Sequence, residues 1–140
     1  MSVPVYPCLW FDGNAREAAS FYCGIFKNSK ITFDSPMVVN FELNGARFMG
    51  LNGGPRYKFT EAISNVVECD TQDEIDYYWN RLTEGGSEIM CGWLKDKYGL
   101  SWQIVPSIIG KLMSDPSKAA RVMAVVQNAK KLIIEDLVNA

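Results

Sequence analysis

Four cysteines, Cys8, Cys23, Cys69 and Cys91, are the strongest nucleophiles in this chain and its only soft metal donors apart from methionine. No two of them form a CxxC pair, and histidine is absent from all 140 residues. Without imidazole there is no ordinary general base near neutral pH, no triad built on one, and no source of the commonest metal ligand. Lys95 and Lys97 follow Cys91 closely in sequence, but they flank a turn, where a solvated charge is the simpler role. Glu42, Glu68 and Asp96 are candidate bases without the spacing of a carboxylate pair, and they read as surface or turn residues. The cysteines read as free, small hydrophobes of a reducing compartment.

The glycine-rich segment GLNGG, from Gly50 to Gly54, would cradle a phosphate only if a helix began directly after it. Pro55-Arg56-Tyr57-Lys58 follows instead. The segment therefore reads as a mobile linker or a lid over a cavity.

These residues must be placed by the elements around them. Val3 to Phe11 is apolar and strand-like and ends at an Asp12-Gly13 turn. Asn14 is placed to cap a helix over about Ala15 to Phe26, where Ala15, Ala18, Ala19, Tyr22 and Phe26 recur at helical spacing. Ser29 to Asp34 reads as a strand. Met37 to Leu43 and Ala46 to Leu51 form a hairpin about Asn44-Gly45, residue types that tolerate the positive φ of a two-residue turn. Ala62 to Cys69 is again a strand, and Thr71 with Glu74 makes a capping box. The helix it opens carries Ile75, Tyr78, Trp79 and Leu82 on one face and stops at Gly85-Gly86. Ser87 to Cys91 and the stretch CGWLKDKYGLSWQIVP supply the last strands, with a turn over Asp96 to Gly99. Beyond Pro106 the pattern is helical, around Ser107 to Met113 and then from Pro116, with Ser114 or Asp115 as cap. Val122, Val126, Ala129, Ile133 and Leu137 keep helical spacing, with a break at Gln127-Asn128 or Lys130-Lys131.

Residues 3–51 and 62–106 therefore both run strand, helix, strand, strand, strand. An acidic residue precedes each helix (Asp12, Asp70), aromatic pairs lie within each (Phe21-Tyr22, Tyr78-Trp79), and Gly45 corresponds to Gly99 as Met49 does to Gln103. Duplicated units of this size associate because neither buries its apolar face alone. The fold class is α+β: one domain, with a linker at 52–61 and a helical tail at 107–140.

LWFDGNAREAASFYCGIF, NGARFMGLNGG and CGWLKDKYGLSWQIVP together resemble the PhnB-like branch of the glyoxalase, bleomycin-resistance and dioxygenase superfamily, the vicinal oxygen chelate proteins. Its members are often described as 3-demethylubiquinone-9 3-methyltransferase-like. The resemblance covers residues 5–106 and extends into the tail. It implies two βαβββ modules forming an open, cup-shaped mixed sheet in a homodimer. The places where metal-using relatives keep four ligands fall at Pro7 or Cys8, Met49, Ser64 and Gln103. Only Gln103 among these suits a hard cation, and one neutral amide does not hold a divalent ion against water. The expectation is no metal and no cofactor, and with the metal fall the isomerase and dioxygenase activities that need it.

Alternation along the strands then names a ligand face. If Gln103 points into the cup, so do Ser101 and Val105, while Trp102 and Ile104 point toward the helices. Arg47, Met49 and Leu51 share the first module's face, and Phe48 packs behind. Ser64 and Val66 share a face with Glu68 at the rim, and Trp93 offers an aromatic wall. The candidate ligand-binding residues are Cys8, Arg47, Met49, Ser64, Trp93, Ser101 and Gln103. They suit metal-independent binding of a small, partly aromatic molecule. The alternative is an enzyme of the same fold, a group (methyl) transferase whose cofactor or partner supplies the chemistry. A dedicated S-adenosylmethionine domain would show a glycine-rich turn between a strand and a helix, which this sequence lacks.

The composition, 48% hydrophobic and 21% charged with net charge -2, is that of a globular chain with no basic patch. Nucleic acid and membranes are not expected partners. The first residues, MSVPVYPCLWFDG, lack the features of a signal peptide, so the expected location is cytoplasmic.

Overall fold

Asn44 and Gly45 both adopt positive φ, 48° and 85°, and so close the two-residue hairpin that organises the first half of the chain. The computed structural model describes residues 2–140. The chain divides into two units, one ending at Phe59 and one beginning at Thr60.

In module one, β1 (Cys8–Phe11), α1 (Ala15–Ile25), β2 (Lys30–Asp34), β3 (Val38–Leu43) and β4 (Ala46–Asn52) follow in that order. The sheet order is β1-β4-β3-β2, with β1 parallel to β4 and the other pairs antiparallel. Leu9, Phe11, Val39, Phe41 and Phe48 face α1, which returns Ala15, Ala18, Ala19, Tyr22 and Ile25. Tyr22, Phe41 and Phe48 stack in a row at 6.1 and 5.4 Å. Gly50 lets the helix come this close, because a Cβ there would lie 3.2 Å from that of Ala15.

Module two repeats the plan with β5 (Asn65–Cys69), α2 (Gln72–Thr83), β6 (Ser87–Glu88), β7 (Trp93–Lys95) and β8 (Ser101–Pro106). Its order, β5-β8-β7-β6, and its single parallel pair, β5 with β8, match module one. Ile75, Trp79 and Leu82 of α2 pack on Leu94, Trp102 and Ile104. Thr71 and Glu74 make the expected capping box. Both sheets are mixed and unclosed, each covered by its helix on one face, so the architecture is the α+β repeat that the sequence implies.

The tail forms α3 (Ile109–Met113), α4 (Ala119–Gln127) and α5 (Ile134–Val138). Val122, Val126, Leu132 and Leu137 make a small core of their own. No helix among the described residues is long and apolar enough to cross a membrane.

Several expectations change. The first strand begins at Cys8, not Val3, because pairing with β4 begins there. The strand expected over Ser87 to Cys91 is two residues long. Cys91 and Gly92 take positive φ, 64° and 79°, and give their N–H groups to Ala129 and Lys130 of the tail at 2.6 and 2.8 Å. Asn14 makes no side-chain cap on α1; Asn52 Oδ1 accepts from the N–H of Ala15 at 2.9 Å instead. Neither Ser114 nor Asp115 occupies the N-cap of α4, which is Lys118. Asp115 instead accepts from the N–H and hydroxyl of Ser117 in the preceding turn.

Candidate functional site

Each sheet leaves one face free of its helix, and alternation fixes what stands there. In module two the register pairs Gln103 with Val66 on one side and Trp93 on the other, so these three side chains share the helix-free face. Ser64, just before β5, joins them: Gln103 donates through Nε2 to Ser64 Oγ at 2.9 Å. That bond leaves the carbonyl oxygen of Gln103 as an acceptor and its second N–H and the hydroxyl hydrogen of Ser64 as donors. Trp93 is half-buried, and Val66 is 56% exposed, so an apolar surface flanks the polar pair.

Lys95 and Ser101 are opposite one another at one end of this face. Lys95 is ion-paired with Glu61, and its ammonium holds the Glu61 carboxyl below the usual range. Ser101 lies on the expected face but is fully buried, and its hydroxyl has no hydrogen-bond partner. It is therefore withdrawn from the accessible part of the face. At the other end Val105 packs on the tail cluster.

Module one presents Cys8, Met49 and Asn40 in one row, by the pairings Cys8 with Met49 and Asn40 with Met49. Cys8 is exposed as a residue, yet the protein around its sulfur raises the thiol above its ordinary value. A thiol raised in this way, with no cation to draw it down, is a poor nucleophile at neutral pH. Arg47 stands opposite Glu42, with its guanidinium 3.9 Å above the ring of Tyr6, an orienting contact.

The glycine-rich segment is neither a phosphate cradle nor a free linker. Trp10 donates through Nε1 to the carbonyl of Gly54 at 2.8 Å, and its ring meets Tyr57 edge-on at 4.9 Å. Gly53 lies against the indole so closely that a Cβ would stand 2.3 Å from the ring.

The donor chemistry does not fit a divalent metal. The expected ligand places hold a thiol and a thioether in module one, Cys8 and Met49, and a hydroxyl and an amide in module two, Ser64 and Gln103, where the strand partner of Gln103 is Val66 and not Ser64. Among the described residues no group of three or more acidic or cysteine side chains is gathered. Asp96 is likewise no base. It is buried in its turn, where Oδ1 accepts from the N–H groups of Tyr98 and Leu100 and Oδ2 from the indole of Trp102 at 2.9 Å. Trp102 is core, as alternation requires.

Three residues that sequence reasoning passed over prove important to this arrangement: Asn52 at the α1 cap, Trp10 under the glycine-rich segment, and Gln72. Gln72 holds the tail by a two-point bond, Nε2 to Leu132 O at 3.1 Å and Oε1 from the N–H of Ile134 at 2.8 Å. Of these only Trp10 carried a signal, since its alternation with Cys8 already placed it on the open face.

The family described as 3-demethylubiquinone-9 3-methyltransferase matches residues 4–105. Curated proteins yield no match. Among solved structures, a PhnB protein from Bacillus cereus is 32% identical, covering 74% of this chain and 98% of its own with a TM-score of 0.68. Protein PA1353 from Pseudomonas aeruginosa is 24% identical over 75% of this chain and 98% of its own, TM-score 0.62. The fosfomycin resistance protein FosX from Listeria monocytogenes, solved with Mn(II) and sulfate, is 16% identical over 81% of this chain and 98% of its own, TM-score 0.57. The last two share the fold alone. The family match stops in β8, so the tail lies outside it. By the match over residues 4–105 and the likeness to the Bacillus cereus protein, this chain belongs to the family described as 3-demethylubiquinone-9 3-methyltransferase, in the PhnB-like branch of the vicinal oxygen chelate superfamily.

Proposed function

We propose that this chain is a metal-independent binding protein for a compact, uncharged, partly aromatic molecule. The ligand rests on the helix-free face of module two, with Gln103 and Ser64 as polar anchor and Trp93 as wall. The observation that carries this reading is the Gln103–Ser64 bond beside Trp93. It pre-sets an acceptor and a donor a few ångströms apart, which suits a ligand hydroxyl, amide or enol, and places an aromatic surface alongside. Lys95 is already paired with Glu61, so the face offers no unpaired cation to an anionic group. Cys8, Met49 and Arg47 give module one a second helix-free face. The protein acts as a homodimer in this reading.

A thermal-shift screen of phenols, aromatic amides and quinones, followed by calorimetry of the hits, tests it. Neutral ring compounds raise Tm without added metal, and a metal chelator leaves the shift unchanged. Stabilisation by divalent cations alone, or by none of the ring compounds, overturns the reading. Light scattering during size-exclusion chromatography tests the dimer.

A further inference from the structure

In both modules the chain that leaves the last strand folds back over the same end of the sheet. In module one, residues 53–59 return so that Tyr57 meets Trp10, which is opposite Leu51 on the helix-free face. In module two the equivalent position is Val105, and it is the tail that packs there, through the cluster of Val122, Val126, Leu132 and Leu137.

The tail is fixed in this place from several sides. Cys91 and Gly92 donate to Ala129 and Lys130, Gln72 binds Leu132 and Ile134, and Lys131 pairs with Asp76 at 2.8 Å. Gly92 is pressed against Leu132 so that a Cβ would stand 3.1 Å from its side chain. At the opposite end of the same face, Ser101 is buried and Lys95 is tied to Glu61. Along β8, only the row of Gln103 is left open between Ser101 and Val105, residues four positions apart and roughly 13 Å along a strand.

We propose that the C-terminal tail, residues 107–140, is the wall that limits ligand length on the helix-free face of module two, so that the site takes a single ring with at most a short substituent. This rests on the ligand-binding reading above. The family match ends at residue 105, so the wall is an addition to the common module and a means of narrowing its range.

A graded series tests the wall: phenol, para-ethylphenol, para-butylphenol and para-hexylphenol, titrated by calorimetry into the full-length protein and its Gln72→Ala and Val105→Ala variants. Gln72→Ala loosens the tail. Val105→Ala trims one half-buried side chain at the wall and keeps the test valid if the first variant loses its tail packing. Phenol binds all three proteins alike. For the unaltered protein affinity stops rising at a short chain; in the variants the longer members gain roughly fourfold for each methylene newly accommodated. An unchanged chain-length limit in both variants overturns the wall and leaves the ligand-binding reading standing. If no member binds the unaltered protein, that reading fails and the wall with it.

Discussion

Gln103 and Ser64 come from segments 39 residues apart and meet at 2.9 Å, amide nitrogen to hydroxyl. The direction of that bond decides what a ligand finds. Because one amide N–H is spent on Ser64, the outward groups are the Gln103 carbonyl, its second N–H and the Ser64 hydroxyl hydrogen. Gln103→Ala and Ser64→Ala should each weaken binding of a phenolic probe by roughly two- to tenfold, the worth of one net hydrogen bond. The double variant should lose less than the sum, since the two side chains act as one unit. Gln103→Glu should be worse than Gln103→Ala for a neutral ligand, because it places a charge on a half-dry face. Calorimetry on the four proteins gives the cycle directly.

Asp96 anchors the turn that brings β7 alongside β8. Its carboxylate is buried and satisfies two backbone N–H groups and the Trp102 indole. Asp96→Ala strands two buried donors and a part-buried one and should cost about 3–5 kcal/mol in urea denaturation. Asp96→Asn should also destabilise, since its amide must turn a donor toward either the indole or the backbone N–H pair.

Asn52 ties the end of β4 to the start of α1, accepting from Ala15 N–H while its Nδ2 donates to the carbonyl of Pro36, both at 2.9 Å. Asn52→Ala should cost about 1–2 kcal/mol, the range for loss of a helix cap. Asn52→Asp keeps the acceptor and adds a charge that the helix N-terminus favours, but turns an oxygen toward the Pro36 carbonyl, so its loss should be smaller. Equilibrium unfolding of the two variants ranks them.

The contrast between Asn52 and Asn14 shows where sequence was enough. Asn14 had the right type and place for a cap, but the N–H of Ala15 went to an asparagine 37 residues beyond it, because strand pairing brings the end of β4 to the helix start. Asn44-Gly45 and the Thr71–Glu74 box were legible because each is decided within four residues of chain. The repeat was legible because its hydrophobic periods recur in order. Alternation gave the face of Ser101 correctly but not its access, which depends on the residues covering that end of the sheet. In the tail, Leu132 enters the core where helical spacing pointed to Ile133. α4 ends at Gln127, and the phase of the pattern is lost across the break that follows.

The pair of Asp76 with Lys131 makes tail attachment sensitive to acid. A hydrogen bond from Lys131, then one from Gln72, holds the Asp76 carboxyl below its usual range. A depressed folded value stabilises the protein at pH above the unfolded carboxylate value of about 4, and the gain is lost as pH falls through the lower folded value. Asp76→Asn should therefore cost about 0.5 kcal/mol near neutrality, as partly exposed pairs do. Below the folded value the two proteins should converge. Hydrogen exchange at residues 129–134, followed from pH 6 downward, should show the unaltered tail loosening with acid and the variant tail already loosened and flat.

Cys69 gives the opposite sign at the alkaline end. It closes β5, buried beside α2, and burial first, then the carboxylates of Glu74 and Asp70, push its thiol from 9.0 up to about 11. The unfolded chain gives up this proton near the ordinary thiol value while the folded one keeps it. The folded state then holds more protons, so stability falls as pH rises from about 9 toward 11. Below that window both states are protonated and the thiol contributes no pH dependence. Cys69→Ala should flatten this part of the stability curve at the cost of a small cavity, measured as urea midpoints between pH 8 and pH 11. In the native protein at pH 8, iodoacetamide should label exposed Cys8 well before Cys69. Equal rates for the two would show that the sulfur of Cys69 is neither shielded nor held neutral, and the alkaline prediction would fail with it.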